Sequence, residues 1–249
     1  MPTITSGEIR VETVIPIEDL LDFSMDTQKN SHAVISLKGL IPQEVGEDAL
    51  FVPMETADLK VWTGDKLLFR GLIKEAQVVH EGGGYQIFIQ GISNTIRLDY
   101  EKKNRTFQNC NSTYQEVMRE VLEDTTGANL NFCASDRKIE TPLYQIEETD
   151  WEFIKRLASH LETSIAPFVL TGIPDIYVGI PQGRVHSREN LDTFSEKVWI
   201  DKERKSICRQ IKTYEDFSVG DRIRWDGVLY TVSGKSCQLD NDLCRLNTS

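Results

Sequence analysis

Short β-prone runs, each closed by a turn signal, fill residues 1–100 and leave that stretch few folds to choose from. Residues 8–17 alternate loosely between apolar and polar. Two β-rich runs, 19–24 and 32–40, flank the polar turn Asp26-Thr27-Gln28-Lys29-Asn30-Ser31. Residues 58–62 lead into Thr63-Gly64-Asp65-Lys66, a hairpin turn by composition, and Leu67-Leu68-Phe69 resumes the strand. Gln77-Val78-Val79 meets the turn Glu81-Gly82-Gly83-Gly84, answered by Tyr85-Gln86-Ile87-Phe88-Ile89 with period-two alternation. Many short strands with turns between them predict a closed or nearly closed antiparallel barrel.

The period then changes. After Ser112, apolar residues at Tyr114, Val117, Met118, Val121 and Leu122 fall on one helical face. Ser112 and Gln115 fit a capping box, and Gly127 sits where a glycine stop belongs. A second helix is predicted to start at Thr149 with Glu152 as its capping partner, and to bury Trp151, Ile154, Leu157, Ala158 and Leu161. Asp150 and Glu152 in its first turn favour the positive end of the helix dipole. Leu130-Asn131-Phe132 and Tyr144-Gln145-Ile146 read as short strands, so residues 101–165 form an α/β unit.

Beyond Ala166 the reading returns to β. Phe168-Val169-Leu170 and residues 176–180 flank the hairpin signal Thr171-Gly172-Ile173-Pro174-Asp175. Residues 184–206 are polar and poorly patterned, and are read as an irregular connection. Residues 207–214, 222–225 and 228–232 read as strands, with Asp226-Gly227 a strong hairpin turn. Val61-Trp62-Thr63-Gly64-Asp65-Lys66-Leu67-Leu68-Phe69 is echoed by Ile223-Arg224-Trp225-Asp226-Gly227-Val228-Leu229-Tyr230. The expected fold is therefore α+β and mainly β. Two antiparallel β-barrel modules, residues 1–100 and 166–249, have an α/β unit inserted at 101–165.

Chemistry is sparse. His32, His80, His160 and His186 lack the i, i+4 pairing of a zinc hydrolase. Cys110, Cys133, Cys208, Cys237 and Cys244 are odd in number and form no C-x-x-C pair, which argues against a disulfide framework or a zinc knuckle. Gly82-Gly83-Gly84 has neither the Lys-Ser/Thr nor the helix of a phosphate loop. Glu147, Glu148, Asp150 and Glu152 crowd together as glycosidase carboxylates might, but a solvated helix start with a capping box is the better account of them. Neither a catalytic group, a metal nor a cofactor is expected. A net charge of −11 weighs against a dedicated nucleic-acid binder. No window reaches the length of a membrane span, and residues 1–5 do not open a signal peptide, so synthesis in the cytoplasm is expected. Asn104-Arg105-Thr106, Asn111-Ser112-Thr113 and Asn247-Thr248-Ser249 match glycosylation sequons by chance. Trp62, Phe69, Trp225 and Tyr230 flank the echoed hairpins and suit either a barrel core or a protein interface.

The run from Val61 to Ile73, followed by Gly84-Tyr85-Gln86-Ile87-Phe88-Ile89-Gln90-Gly91-Ile92-Ser93, resembles phage baseplate hub proteins. That family includes the late control protein D group and the N-terminal part of VgrG. Arg105-Thr106-Phe107-Gln108 looks like its next landmark. Tyr144-Gln145-Ile146-Glu147-Glu148-Thr149-Asp150-Trp151-Glu152-Phe153-Ile154-Lys155-Arg156-Leu157-Ala158 is similar to the family's helix-opening segment. The resemblance implies tube-like barrels and a homotrimer that joins a sixfold tail tube to a threefold central spike, among other baseplate proteins. This chain leaves no room for the spike's own barrel and β-helix, so the spike is expected to be a separate chain. The expected setting is a phage tail, a bacteriocin or another contractile injection particle made in the bacterial cytoplasm. Membrane binding and sequence-specific nucleic-acid binding are not expected. The alternatives are another non-catalytic tail part, such as a tube initiator or receptor-binding protein, or a cell-wall hydrolase using the carboxylates near Glu147.

Overall fold

The computed structural model describes residues 9–50, 57–191, 193–201, 206–213, 215, 217–238 and 243–248. Of the stretches singled out above, residues 1–5, 8, 192, 202–205, 214 and 249 lie outside them. The architecture is mainly β, with two α-helices among the described residues.

The first strands are β1 (Ile9–Glu12), β2 (Asp19–Gln28), β3 (Val34–Ile41), β4 (Asp58–Thr63), β5 (Lys66–Glu81) and β6 (Gly84–Ser93). They lie in the order β1-β4-β5-β6-β3-β2, every neighbour antiparallel. Alternate residues are buried: Phe23 and Met25 on β2, Ile35 and Leu37 on β3, Ile87 and Ile89 on β6. One core takes side chains from all six strands, from Ile9 on β1 to Met25 on β2, so the sheet is curled about it. The ladder does not close into a barrel, since β1 and β2 are not paired with each other among the described residues. Gly82 and Gly83 both have positive φ, which a two-residue loop between twisted strands requires.

The middle unit holds β7 (Lys102–Phe107), α1 (Tyr114–Leu122), β8 (Asn129–Phe132), β9 (Leu143–Thr149), α2 (Asp150–His160), β10 (Ile165–Pro167) and β11 (Asp175–Val178). β7 pairs with β9, and β11 lies between β10 and β8. Both helices bury their predicted faces in one core, which Ile165, Ile176 and Val178 join. The unit thus extends past residue 165, and the hairpin around Thr171 belongs to it. That corrects the expected start of the second β-module at 166. The parallel β11–β8 pairing, formed across a long crossover, is what draws these residues in.

The last strands are β12 (Val185–Ser187), β13 (Thr193–Asp201), β14 (Ser206–Thr213), β15 (Arg222–Trp225), β16 (Val228–Gln238) and β17 (Leu243–Thr248). β12 and β13 fall within residues 184–206, which the sequence reading left irregular. β13 is exposed along most of its length and so carries no buried-face period to read. The strand order is β12-β15-β16-β17-β14-β13. Numbered within each set, both orders run first, fourth, fifth, sixth, third, second. The registers repeat too. Lys74 of β5 and Ser233 of β16 are each bulged out against the sixth strand, and Leu21 of β2 and Phe194 of β13 against the third. Aligned on either bulge, Glu75↔Gln90 matches Gly234↔Asn247 and Leu37↔Ile89 matches Ile211↔Leu246. The outermost pairs differ, β1–β4 being antiparallel and β12–β15 parallel.

Each helix opens on a capping box. At α2 the box is Thr149 with Glu152: Thr149 Oγ1 accepts from the Glu152 amide at 3.1 Å, and Glu152 Oε2 accepts from the Thr149 amide at 3.0 Å. At α1 the box is Thr113 with Glu116, one residue beyond the expected Ser112 and Gln115. The Ser112 carbonyl accepts from the Ile139 amide, and Thr113 bridges Lys138, so the chain stays extended until Tyr114. Thr113→Ala is expected to cost about 1 kcal/mol, and Ser112→Ala a few tenths at most. Urea denaturation of the two variants checks this, and equal losses would contradict the assignment.

Candidate protein interface

The turn between β2 and β3 is where all three parts of the chain meet. Asn30 takes a left-handed conformation (φ 61°), which asparagine tolerates better than most residues. Its amide donates to the Ile165 carbonyl at 2.7 Å, and its Oδ1 accepts from the Ile165 amide at 3.0 Å, tying the turn to β10. The neighbouring Lys29 amide donates to the Ser233 carbonyl of β16 at 3.3 Å. His32, two residues on, packs on Trp151 of α2 with ring centroids 4.1 Å apart. Its ring nitrogens lie 2.8 Å from Thr95 Oγ1 and 3.3 Å from Asp99 Oδ2. Asp99 also accepts from the Thr149 hydroxyl, so the α2 cap and the first module share one carboxylate. A cavity of about 220 Å³ lies at the same junction, lined by Met25, Leu68, Phe168, Tyr177, Phe217 and Lys235 among others.

β2 has a partner on both edges. Beyond its pairing with β3, residues 24–28 pair antiparallel with β16: Ser24↔Gln238, Met25↔Cys237, Asp26↔Ser236, Thr27↔Lys235 and Gln28↔Gly234. This seam joins the two modules into a single 12-stranded sheet. It also explains why Asp26-Thr27-Gln28, a turn by composition, is strand: tertiary pairing overrides weak local preference. Burial pushes the Asp26 carboxyl up, against the opposing pull of hydrogen bonds with Gln28 and Ser236.

The acidic cluster is absorbed by the start of α2. Asp150 is buried and accepts from Lys103 Nζ at 2.9 Å, Arg105 Nη1 at 3.0 Å and Gln145 Nε2 at 3.0 Å. Glu148 is held by Arg156, Glu147 accepts from Asn104, and Glu152 belongs to the capping box. Asp124, on the solvent side of Arg105 and Lys103, has its carboxyl pulled down chiefly by the Arg105 hydrogen bond. Each carboxylate of the cluster therefore has a structural partner.

The aromatic candidates do not form one surface. Phe69 and Trp225 are buried in their own modules, so of the two readings, core and partner contact, they take the core one within the single chain. The Trp225 ring lies between the guanidinium groups of Arg188 and Arg209, each 4.5 Å from its centroid. Trp62 and Tyr230 are half-buried, under Arg10 and Arg209 respectively. One run of exposed apolar side chains lies at the far end of the sheet. Val198, Trp199 and Ile200 on β13, with Ile207 on β14, face solvent, and among the described residues β13 pairs with β14 alone. The run Val198-Trp199-Ile200 is β-prone and was the available sequence signal, hidden by its polar surroundings.

No protein-family model and no curated protein matches the sequence. Solved structures do match. An Escherichia coli protein, c3393, superimposes with a TM-score of 0.72 over 96% of this chain and 76% of its own, at 12% identity. It is described as a component of the type VI secretion system with structural similarity to the T4 bacteriophage tail proteins gp27 and gp5. The fold is a tail-protein fold. A tail protein of Neisseria meningitidis MC58 matches at TM-score 0.70 and 10% identity, over 97% of this chain and 95% of that one. The 43 kDa tail protein of prophage MuSo2 from Shewanella oneidensis matches at 0.72 and 10%, over 97% and 98%. Coverage this complete means that the tail-protein fold includes both β-modules and the unit between them.

Two predictions follow from the junction and the cluster. Asp150→Asn leaves Lys103 and Arg105 facing each other without their buried counter-charge, and is expected to cost about 3 kcal/mol in urea denaturation; a loss no larger than that of an exposed salt bridge would contradict it. Burial holds the His32 pKa below its ordinary 6.5, with Asp99 pulling the other way. The unfolded chain therefore takes up a proton before the folded one. Stability is complete above 6.5 and falls as pH drops below that value toward the folded pKa. His160 is lowered likewise, first by burial, and acts in the same direction. The melting temperature should fall between about pH 7.5 and about pH 5.5, and less steeply in His32→Gln. An unchanged slope in that variant would assign the effect elsewhere.

Proposed function

We propose that the chain is a hub subunit of a contractile-tail baseplate, acting by affinity and symmetry. Three copies form a ring, and each copy contributes two modules. The observation that carries this reading is the repeat of strand order and bulge register within one chain. A threefold assembly meets a sixfold tail tube only if each subunit offers two near-equivalent docking faces. Two barrel-like modules of the same strand order supply them, and the three-copy ring leaves a threefold face for a separate central spike protein. The tail-protein fold of the solved structures supports the setting.

In this reading the partners are a second and third copy, a tail tube protein, the spike protein and other baseplate proteins. The product is assembled in the bacterial cytoplasm into a phage tail, bacteriocin or injection particle. In this reading the chain is not an enzyme: the carboxylates near Glu147 serve the α2 start, and pure protein is expected to leave peptidoglycan intact in a turbidity assay. Among the described residues no helix is long and apolar enough to cross a membrane.

Native mass spectrometry over a concentration series tests the ring. A trimer is the expected species. A particle that remains a monomer, or assembles as a hexamer, overturns the hub reading.

A further inference from the structure

The seam between the modules has an unused counterpart elsewhere in the chain. Within the chain, β2 of the first module lies on the half of β16 that β15 no longer covers. The equivalent strands, by order and bulge register, are β13 for β2 and β5 for β16. Both equivalents have a free edge. β13 pairs with β14 alone, and β5 beyond Lys74 pairs with β6 alone, among the described residues. Burial marks the same gap. Met25 and Thr27, covered at the seam, are 4% and 7% exposed, whereas their counterparts Val198 and Ile200 are 49% and 70% exposed. Opposite them, Ala76 and Val78 correspond to Lys235 and Cys237, and pack only in part against the first core.

Each copy thus carries one strand edge that resembles the donor side of the seam and one that resembles the acceptor side. An edge strand with exposed apolar side chains invites pairing with another chain. We propose that β13 of one copy adds to the free half of β5 of a second copy, in the register of the internal seam. Val198 then lies opposite Val78, Ile200 opposite Ala76, Trp199 opposite Gln77 and Lys197 opposite Val79. The contact is head-to-tail, so it closes into a ring when the rotation between modules within a chain recurs between chains. Main-chain hydrogen bonds supply its strength, and the apolar pairs fix its register. The proposal rests on the hub reading for the number of copies, but the pairing itself rests on the registers.

Disulfide trapping tests it in the full chain, with the exposed Cys110 and Cys133 replaced by serine. Val78→Cys combined with Val198→Cys is expected to oxidise to a closed covalent trimer on a non-reducing gel. Each single variant, and the pair His80→Cys with Ile200→Cys (four residues out of register), is expected to remain unlinked. Ile200→Asp changes a side chain that is already exposed, and should raise the concentration needed for half-assembly at least about tenfold. A trimer by native mass with no in-register cross-link overturns the pairing and leaves the hub reading standing. In-register cross-linking into dimers or open ladders supports the pairing and overturns the trimer. Linking by Val198→Cys alone means that two β13 edges meet each other, and overturns the proposed pairing. Monomers without any cross-link overturn both.

Discussion

The ladder between β2 and β16 holds the molecule in one piece. Without it there are two curled sheets and a helical unit joined by short connections. With it, Cys237 of the second module enters the core of the first, beside the β2–β3 turn that reaches β10 and α2. The middle unit docks on the first module through the same turn, which the Lys29 amide ties to the Ser233 carbonyl of the second. A strand paired on both edges also costs the chain no exposed backbone at its centre, so the free edges lie at the periphery.

The middle unit is fastened by polar groups at sites where apolar packing alone would let it slide. Asn30 and Ile165 exchange two hydrogen bonds, and Arg70 of β5 gives its amide to the Val169 carbonyl while its guanidinium grips Asp58. Asn94 donates to the Thr171 carbonyl at 3.2 Å. At Gly172 a β-carbon would come within 2.6 Å of that guanidinium, the far end of a flexible side chain, so a larger residue there would displace Arg70 from Asp58. Directional contacts of this kind add modest free energy, but they fix one orientation among many of similar buried area.

Local signals were legible in the sequence and long-range ones were not. Tyr85-Gln86-Ile87-Phe88-Ile89 showed its alternation because β6 buries one face only. The echo of Val61–Phe69 in Ile223–Tyr230 marked two equivalent hairpins because a hairpin is specified by neighbours in sequence. The Thr149 cap was readable for the same reason, and at α1 the cap moved one residue because a distant strand, not the helix, set where the chain bends. The seam left no trace in the residues that form it: Asp26-Thr27-Gln28 has turn composition and a partner more than two hundred residues away. β13 was missed because no face of it is covered within one chain. Of the candidate aromatics, Phe69 and Trp225 fall on the core side of the two readings left open because composition alone cannot tell a core ring from an anchor ring.

The bulges at Lys74 and Ser233 are parity switches. Along β5 the inward residues are Phe69, Gly71 and Ile73 before the bulge and Ala76 and Val78 after it, a change from odd to even positions. Along β16 the change runs the other way, from Val232 to Lys235 and Cys237. Deleting either bulged residue would leave composition and hydrophobicity almost untouched, yet it would turn every later side chain of that strand to the wrong face. The two halves of the chain differ in nearly every side chain along these strands but keep the same pairing register from one bulge to the other. What the repeated architecture preserves is an alignment between strands, and the chemistry at each position is free to vary around it.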